Sequence, residues 1–86
     1  MLSKIFTVFN AEGLHMRPAG IFASEMGNFD CTVKIRFKGR EINAKSLMNI
    51  MAACIKRGSQ FELVCDGSDE QAAMDKASDL ILSGFE

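Results

Sequence analysis

The sequence predicts a two-layer α+β sandwich: a small sheet, wet on one face and covered by helices on the other. Three observations lead there. Val33, Ile35 and Phe37 alternate with Thr32, Lys34, Arg36 and Lys38, the pattern of a strand with one buried face. Phe61, Leu63 and Cys65 alternate in the same way. Other segments carry apolar residues at helical spacing: Ala19, Phe22, Ala23 and Met26 in one, Ala73, Ala77, Leu80 and Ile81 in another.

Each element follows in order. Ser3 to Phe9 is rich in β-formers and reads as the first strand. Asn10-Ala11-Glu12-Gly13 is a loop, and residues 16–28 read as a helix closed by Gly27-Asn28, which tolerate positive φ. After the strand through Val33, Gly39 supports a tight turn into a return strand over residues 40–43. Ser46 stands where an N-cap belongs, ahead of a short helix through Leu47, Ile50 and Met51 that ends before Gly58. The strand through Phe61 comes next, and Asp66-Gly67 turns the chain. Ser68-x-x-Gln71 then has the form of a capping box opening the last helix. The order is β-α-β-β-α-β-α, one domain over residues 1–86.

Composition narrows the function classes. A chain of 86 residues holds one small domain with a thin core. Ten basic residues against eleven acidic ones argue against nucleic-acid binding, which needs a basic excess. Trp and Tyr are absent, so an RNA-binding domain would have to stack bases on Phe alone. No apolar run approaches the ~20 residues of a membrane span, and Met1-Leu2-Ser3-Lys4 has no signal-peptide layout, so a cytoplasmic protein is expected. Cys31, Cys54 and Cys65 form no CxxC pair and read as small buried residues in a reducing compartment, with neither metal nor cofactor implied.

The chemistry concentrates at Gly13-Leu14-His15-Met16-Arg17-Pro18-Ala19, between the first strand and the first helix. Gly13 permits a tight bend. Pro18 fits a first helical turn, where N–H groups lack intrahelical partners. His15 therefore sits just ahead of a helix N-terminus, where free N–H groups and the helix dipole attract an anion. Arg17 adds a permanent charge with a planar fork suited to phosphate oxygens. A positive field also favours the neutral, nucleophilic imidazole. There is no nucleotide-binding glycine loop and no acidic metal cluster, so phosphate must come from a donor. Without this context, a lone loop histidine that hydrogen-bonds locally is the plainer reading.

The motif Gly13-Leu14-His15-x-Arg17-Pro18-Ala19 resembles the active-site motif of the HPr family, the histidine-containing phosphocarriers of the bacterial phosphoenolpyruvate:sugar phosphotransferase system. A second motif, Lys45-Ser46-Leu47-Met48-x-Ile50, resembles that family's regulatory segment, in its Gram-positive form. The resemblance covers essentially the whole chain. It implies a four-stranded antiparallel sheet in the order 1-4-2-3 with three helices on one face. It implies a carrier rather than an enzyme: His15 phosphorylated on Nδ1 by enzyme I, the phosphoryl group passing to IIA domains of sugar permeases, and Arg17 stabilising it. The chain departs from the family at Met16, where a small residue is usual, and at Ala53-Cys54, where a larger aliphatic followed by a small residue such as Gly is usual.

Ser46 has two readings, a plain N-cap and a regulatory phosphosite, and a helix N-terminus accommodates both. The resemblance implies phosphorylation by an HPr kinase/phosphorylase and binding to a catabolite-control transcription factor. Leu47, Met48 and Met51, together with the inward Ile50, exceed what a two-turn helix can bury, so a docking surface is expected there. Met16, Arg17, Gly20, Ile21 and Ser24 share the outer face of the first helix, with Ile21 expected to be exposed. The resemblance places partner contacts on both stripes. A regulatory module working through Ser46 alone would need no nucleophile at His15, and a relay serving nitrogen control rather than sugar uptake stays open. A monomer is the expected state.

Overall fold

The computed structural model describes residues 1–85. Its elements are β1 (Leu2–Thr7), α1 (Met16–Met26), β2 (Thr32–Phe37), β3 (Arg40–Asn43), α2 (Leu47–Ala52), β4 (Gln60–Asp66) and α3 (Glu70–Leu82). All strand pairs are antiparallel, in the order β1-β4-β2-β3. The fold class, element order and strand order are those expected.

One face of the sheet is dry. Phe6, Val33, Ile35, Phe37, Leu63 and Cys65 join Phe22, Met26, Ile50, Ala77 and Ile81 of the helices in a single core. On the other face Ser3, Thr7, Lys34, Arg36 and Gln60 are exposed, and Arg36 pairs with Glu41 and Glu62 at 3.2 and 3.5 Å. The strict alternation of β2 thus divides the sandwich into a core side and a solvent side. Lys38 and Gly39, with φ of 50 and 75°, make the two-residue turn between β2 and β3. Positive φ at both central residues suits the twist of a hairpin.

The ends of elements are where expectation and structure part. β1 stops at Thr7. Beyond it Val8 bonds to Ser59 and Gly58 of the opposite loop, at 2.9 and 2.7 Å, rather than to a strand. α1 ends at Met26, and Gly27 there has φ −63°, so the helix closes without the left-handed residue expected. The Ser68/Gln71 capping box does not form. Asp69 is the N-cap of α3, yet its carboxylate accepts instead from the backbone N–H groups of Asp30 and Cys31 at 2.7 and 2.8 Å. These bonds tie the start of β2 to the start of α3 and hold the Asp69 carboxyl below its ordinary range. The reciprocal pair lies one residue earlier: the Gly67 N–H donates to Glu70 Oε1 at 3.1 Å, and the Glu70 N–H donates to the Gly67 carbonyl at 3.2 Å.

The cysteines also divide. Cys31 and Cys65 are buried as expected, and burial, aided by Asp69, pushes the Cys31 thiol up to about 11. Cys54 is exposed, contrary to expectation. It follows the C-cap of α2, Ala53, and turns the chain with φ 55°, which swings its side chain out of the core. A left-handed residue after a helix is commonly Gly, which has no Cβ to strain.

Candidate functional site

The site is built by a loop pinned at Gly13 and Leu14. Gly13 has φ 63°, and a Cβ there would lie 2.8 Å from the Ile55 carbonyl oxygen and 2.9 Å from Lys56 Cα. Only glycine combines that conformation with that approach. The Gly13 N–H donates to the Asn10 carbonyl at 3.1 Å, and Asn10 Nδ2 donates back to the Gly13 carbonyl at 2.8 Å. Next along the chain, the Leu14 N–H donates to the Ile55 carbonyl at 2.9 Å while its side chain is buried. With Gly13 and Leu14 clamped to the segment after α2, His15 is pushed to the surface.

His15 is the N-cap of α1, with extended backbone (φ −76°, ψ −170°), and its carbonyl accepts the Ala19 N–H at 2.8 Å. Its side chain makes no capping hydrogen bond and is exposed. An N-cap usually spends its side chain on the orphan N–H groups of the first turn; here the imidazole is unspent. Met16 and Arg17 occupy that first turn, where no intrahelical carbonyl is available, and the buried Pro18 has no N–H at all. Two backbone donors and the positive end of the helix dipole therefore surround the imidazole with the field an anion seeks.

The imidazole also lines a shallow pocket of about 110 Å³ with Leu14, Met51, Cys54, Ile55 and Lys56. Thus the segment after α2 meets the start of α1, with Lys56 among the residues that line the pocket. Lys56 carries no signal in the sequence, since 36 residues of chain separate it from the end of the motif at Ala19. Nor does the immediate partner of Arg17 carry one. The guanidinium Nη2 donates to Glu12 Oε1 at 2.9 Å, with both side chains about half exposed. An open concavity of about 440 Å³ lies along β2, β3 and the start of α2, lined by Lys34, Glu41, Lys45 and Asn49 among others and by none of the residues around His15. Among the described residues no group of His, Cys, Asp and Glu is placed to hold a metal ion. No helix of the described residues is long and apolar enough to cross a membrane.

Ser46 is the N-cap of α2, its Oγ accepting the Asn49 N–H at 3.3 Å. Lys45 beside it is tied by its ammonium to the Phe29 carbonyl at 2.6 Å. Of the two apolar stripes, Met16 and Met48 are the most open, 65% and 74% exposed. Ser24 is exposed and Gly20 half-buried. Leu47 and Met51 are half-buried against the core. So is Ile21, contrary to the expectation that it be exposed: it packs against the core, on a helix that touches both α2 and α3.

An open-faced sandwich with an uncapped histidine at the head of its first helix defines a small class of domain. A family profile described as "PTS HPr component phosphorylation site" matches residues 2–83. The chain is 40% identical over 85 residues to the phosphocarrier protein HPr of Cupriavidus necator, covering 99% of this chain and 96% of that one. It is also similar to a crystal structure of HPr from Thermoanaerobacter tengcongensis, with a TM-score of 0.96, 33% identity and coverage of 99% and 96% of the two chains. A structure of Crh from Bacillus subtilis, a dimer with a swapped domain, gives a TM-score of 0.77 at 31% identity over 96% of this chain and 95% of that one. The chain belongs to the HPr family, the phosphocarrier component of the phosphotransferase system.

Proposed function

We propose that this chain carries a phosphoryl group on His15, taking it from enzyme I and passing it to IIA domains of sugar permeases in the cytoplasm. The observation that carries this is the N-cap imidazole, which makes no capping hydrogen bond, at a helix start whose first-turn N–H groups have no intrahelical carbonyl. In each transfer the lone pair of the imidazole nitrogen, Nδ1 by family resemblance, attacks phosphorus. The bond from phosphorus to the donor's leaving atom breaks, and its electron pair stays with the donor. The reverse set of bonds is exchanged on donation to the acceptor. The N–H groups of Met16 and Arg17 and the guanidinium of Arg17 receive the added negative charge, about two units.

Met16, Gly20, Ile21, Ser24, Leu47, Met48 and Met51 form the surface on which the partners dock. Exposed methionines suit a surface that must fit several of them. Ser46 is the regulatory phosphosite, recognised by an HPr kinase/phosphorylase, its phosphorylated form binding a catabolite-control transcription factor. Its place at a helix start supports this, because a phosphate there is electrostatically welcome.

Phosphoenolpyruvate and a cognate enzyme I are expected to give an acid-labile, base-stable phosphoprotein, and His15→Ala to give none. Equal labelling of His15→Ala would end the carrier reading.

A further inference from the structure

We propose that Glu12 is a positioning residue for the phosphoryl group on His15, a built-in competitor for Arg17 that keeps the group easy to give away; this rests on the carrier reading above. Arg17 is the one permanent cation inside the motif, and in the unphosphorylated protein it is engaged: Nη2 lies 2.9 Å from Glu12 Oε1. The loop that presents Glu12 is fixed by the Asn10–Gly13 bonds on one side and by Leu14 on Ile55 on the other. The carboxylate is therefore held beside the motif by its backbone.

Both side chains are about half exposed. A pair in that setting adds little to fold stability, so its consequence falls on the chemistry next to it. When His15 becomes phosphorylated, the dianion and the Glu12 carboxylate compete for one guanidinium. If Arg17 turns to the phosphoryl oxygens, Glu12 is left as an unpaired negative charge beside a dianion. If Arg17 stays, the phosphoryl group lacks its cation. Either way the phosphorylated state is raised relative to the free state. A carrier gains from this: the group rests less firmly on His15, and its onward transfer is favoured. Neither the motif residues nor the helix dipole supplies such an opposing term, because both stabilise the anion.

The test is the phosphoryl-transfer equilibrium with enzyme I for the intact chain and for Glu12→Gln. Glu12→Gln is expected to shift it towards the phosphorylated carrier by about fivefold, the size of one charge–charge interaction across about 4 Å of water. The half-life of the phosphohistidine should lengthen in parallel. The difference should shrink at high ionic strength, where exposed charges are screened. Glu12→Asp keeps the charge and should move the equilibrium less than Glu12→Gln. Glu62→Gln removes a carboxylate from the open sheet face and should not move it. An unchanged equilibrium in Glu12→Gln, or a shift towards the unphosphorylated carrier, overturns the proposal while the carrier reading stands. Failure of the unaltered chain to accept phosphate at all overturns both.

Discussion

The starts of α1 and α2 are built alike and used differently. Each has an N-cap in extended backbone, and each is a candidate for phosphorylation. At α2 the cap side chain is at work: Ser46 Oγ satisfies the Asn49 N–H. At α1 the cap side chain makes no capping hydrogen bond, and the adjacent clamp of Gly13 and Leu14 onto residues 55 and 56 does the positioning instead. The difference teaches that a residue free of structural duty is available for chemistry. A residue that holds a helix start can be modified only where the modification respects the cap.

The largest expected effect tests the clamp. Gly13→Ala forces a Cβ against backbone atoms at 2.8 and 2.9 Å in a left-handed conformation. It should destabilise the fold by about 2–3 kcal/mol, since the strained conformation and the overpacking each cost on that order. Urea denaturation would read this, and a loss well under 1 kcal/mol would mean that the loop gives way and does not fix His15. At the far end of α2, Cys54→Gly should stabilise by about 1–2 kcal/mol by relieving the left-handed backbone of a residue with a Cβ. A melting temperature no higher than that of the parent would show that Cys54 carries no such strain.

Ser46→Ala removes a working cap and should cost about 1 kcal/mol. His15→Ala removes an idle one and should change stability by less than about 0.5 kcal/mol. The two variants compared in one denaturation series decide whether the helix starts differ as described. Equal losses would erase the distinction.

The sheet was legible because a strand's face is written in its own residues. The alternation of Val33, Ile35 and Phe37 is local, and burial follows it residue by residue. Ala19, Phe22, Ala23 and Met26 were legible in α1 for the same reason. The place of His15 was legible too, since Pro18 and Gly13 mark a helix start from sequence alone. What escaped was set by distant chain. Asp69 reads as an ordinary acidic residue near a cap, but its partners Asp30 and Cys31 lie 39 and 38 residues earlier. Helical spacing puts Ile21 on the outer face, because spacing within one helix carries no trace of the elements packed beside it. Composition makes Cys54 a buried thiol, because it does not reveal a left-handed backbone. The Glu12–Arg17 pair spans five residues across a loop-to-helix junction, where the three- and four-residue rule for helix pairs gives no signal.

In the carrier reading the His15 imidazole, an N-cap side chain that makes no capping bond, takes the phosphoryl group. The most direct test of this is heteronuclear NMR of the chain labelled with 15N-histidine, recorded before and after incubation with phosphoenolpyruvate and enzyme I. His15 is the only histidine, so every imidazole signal is its own. The expected result is phosphorus coupling at Nδ1 with the remaining amide spectrum shifted chiefly at Met16, Arg17 and the loop before them. Incorporation of phosphate with the imidazole signals unmoved, or phosphate found on Ser46 under these conditions, would contradict it.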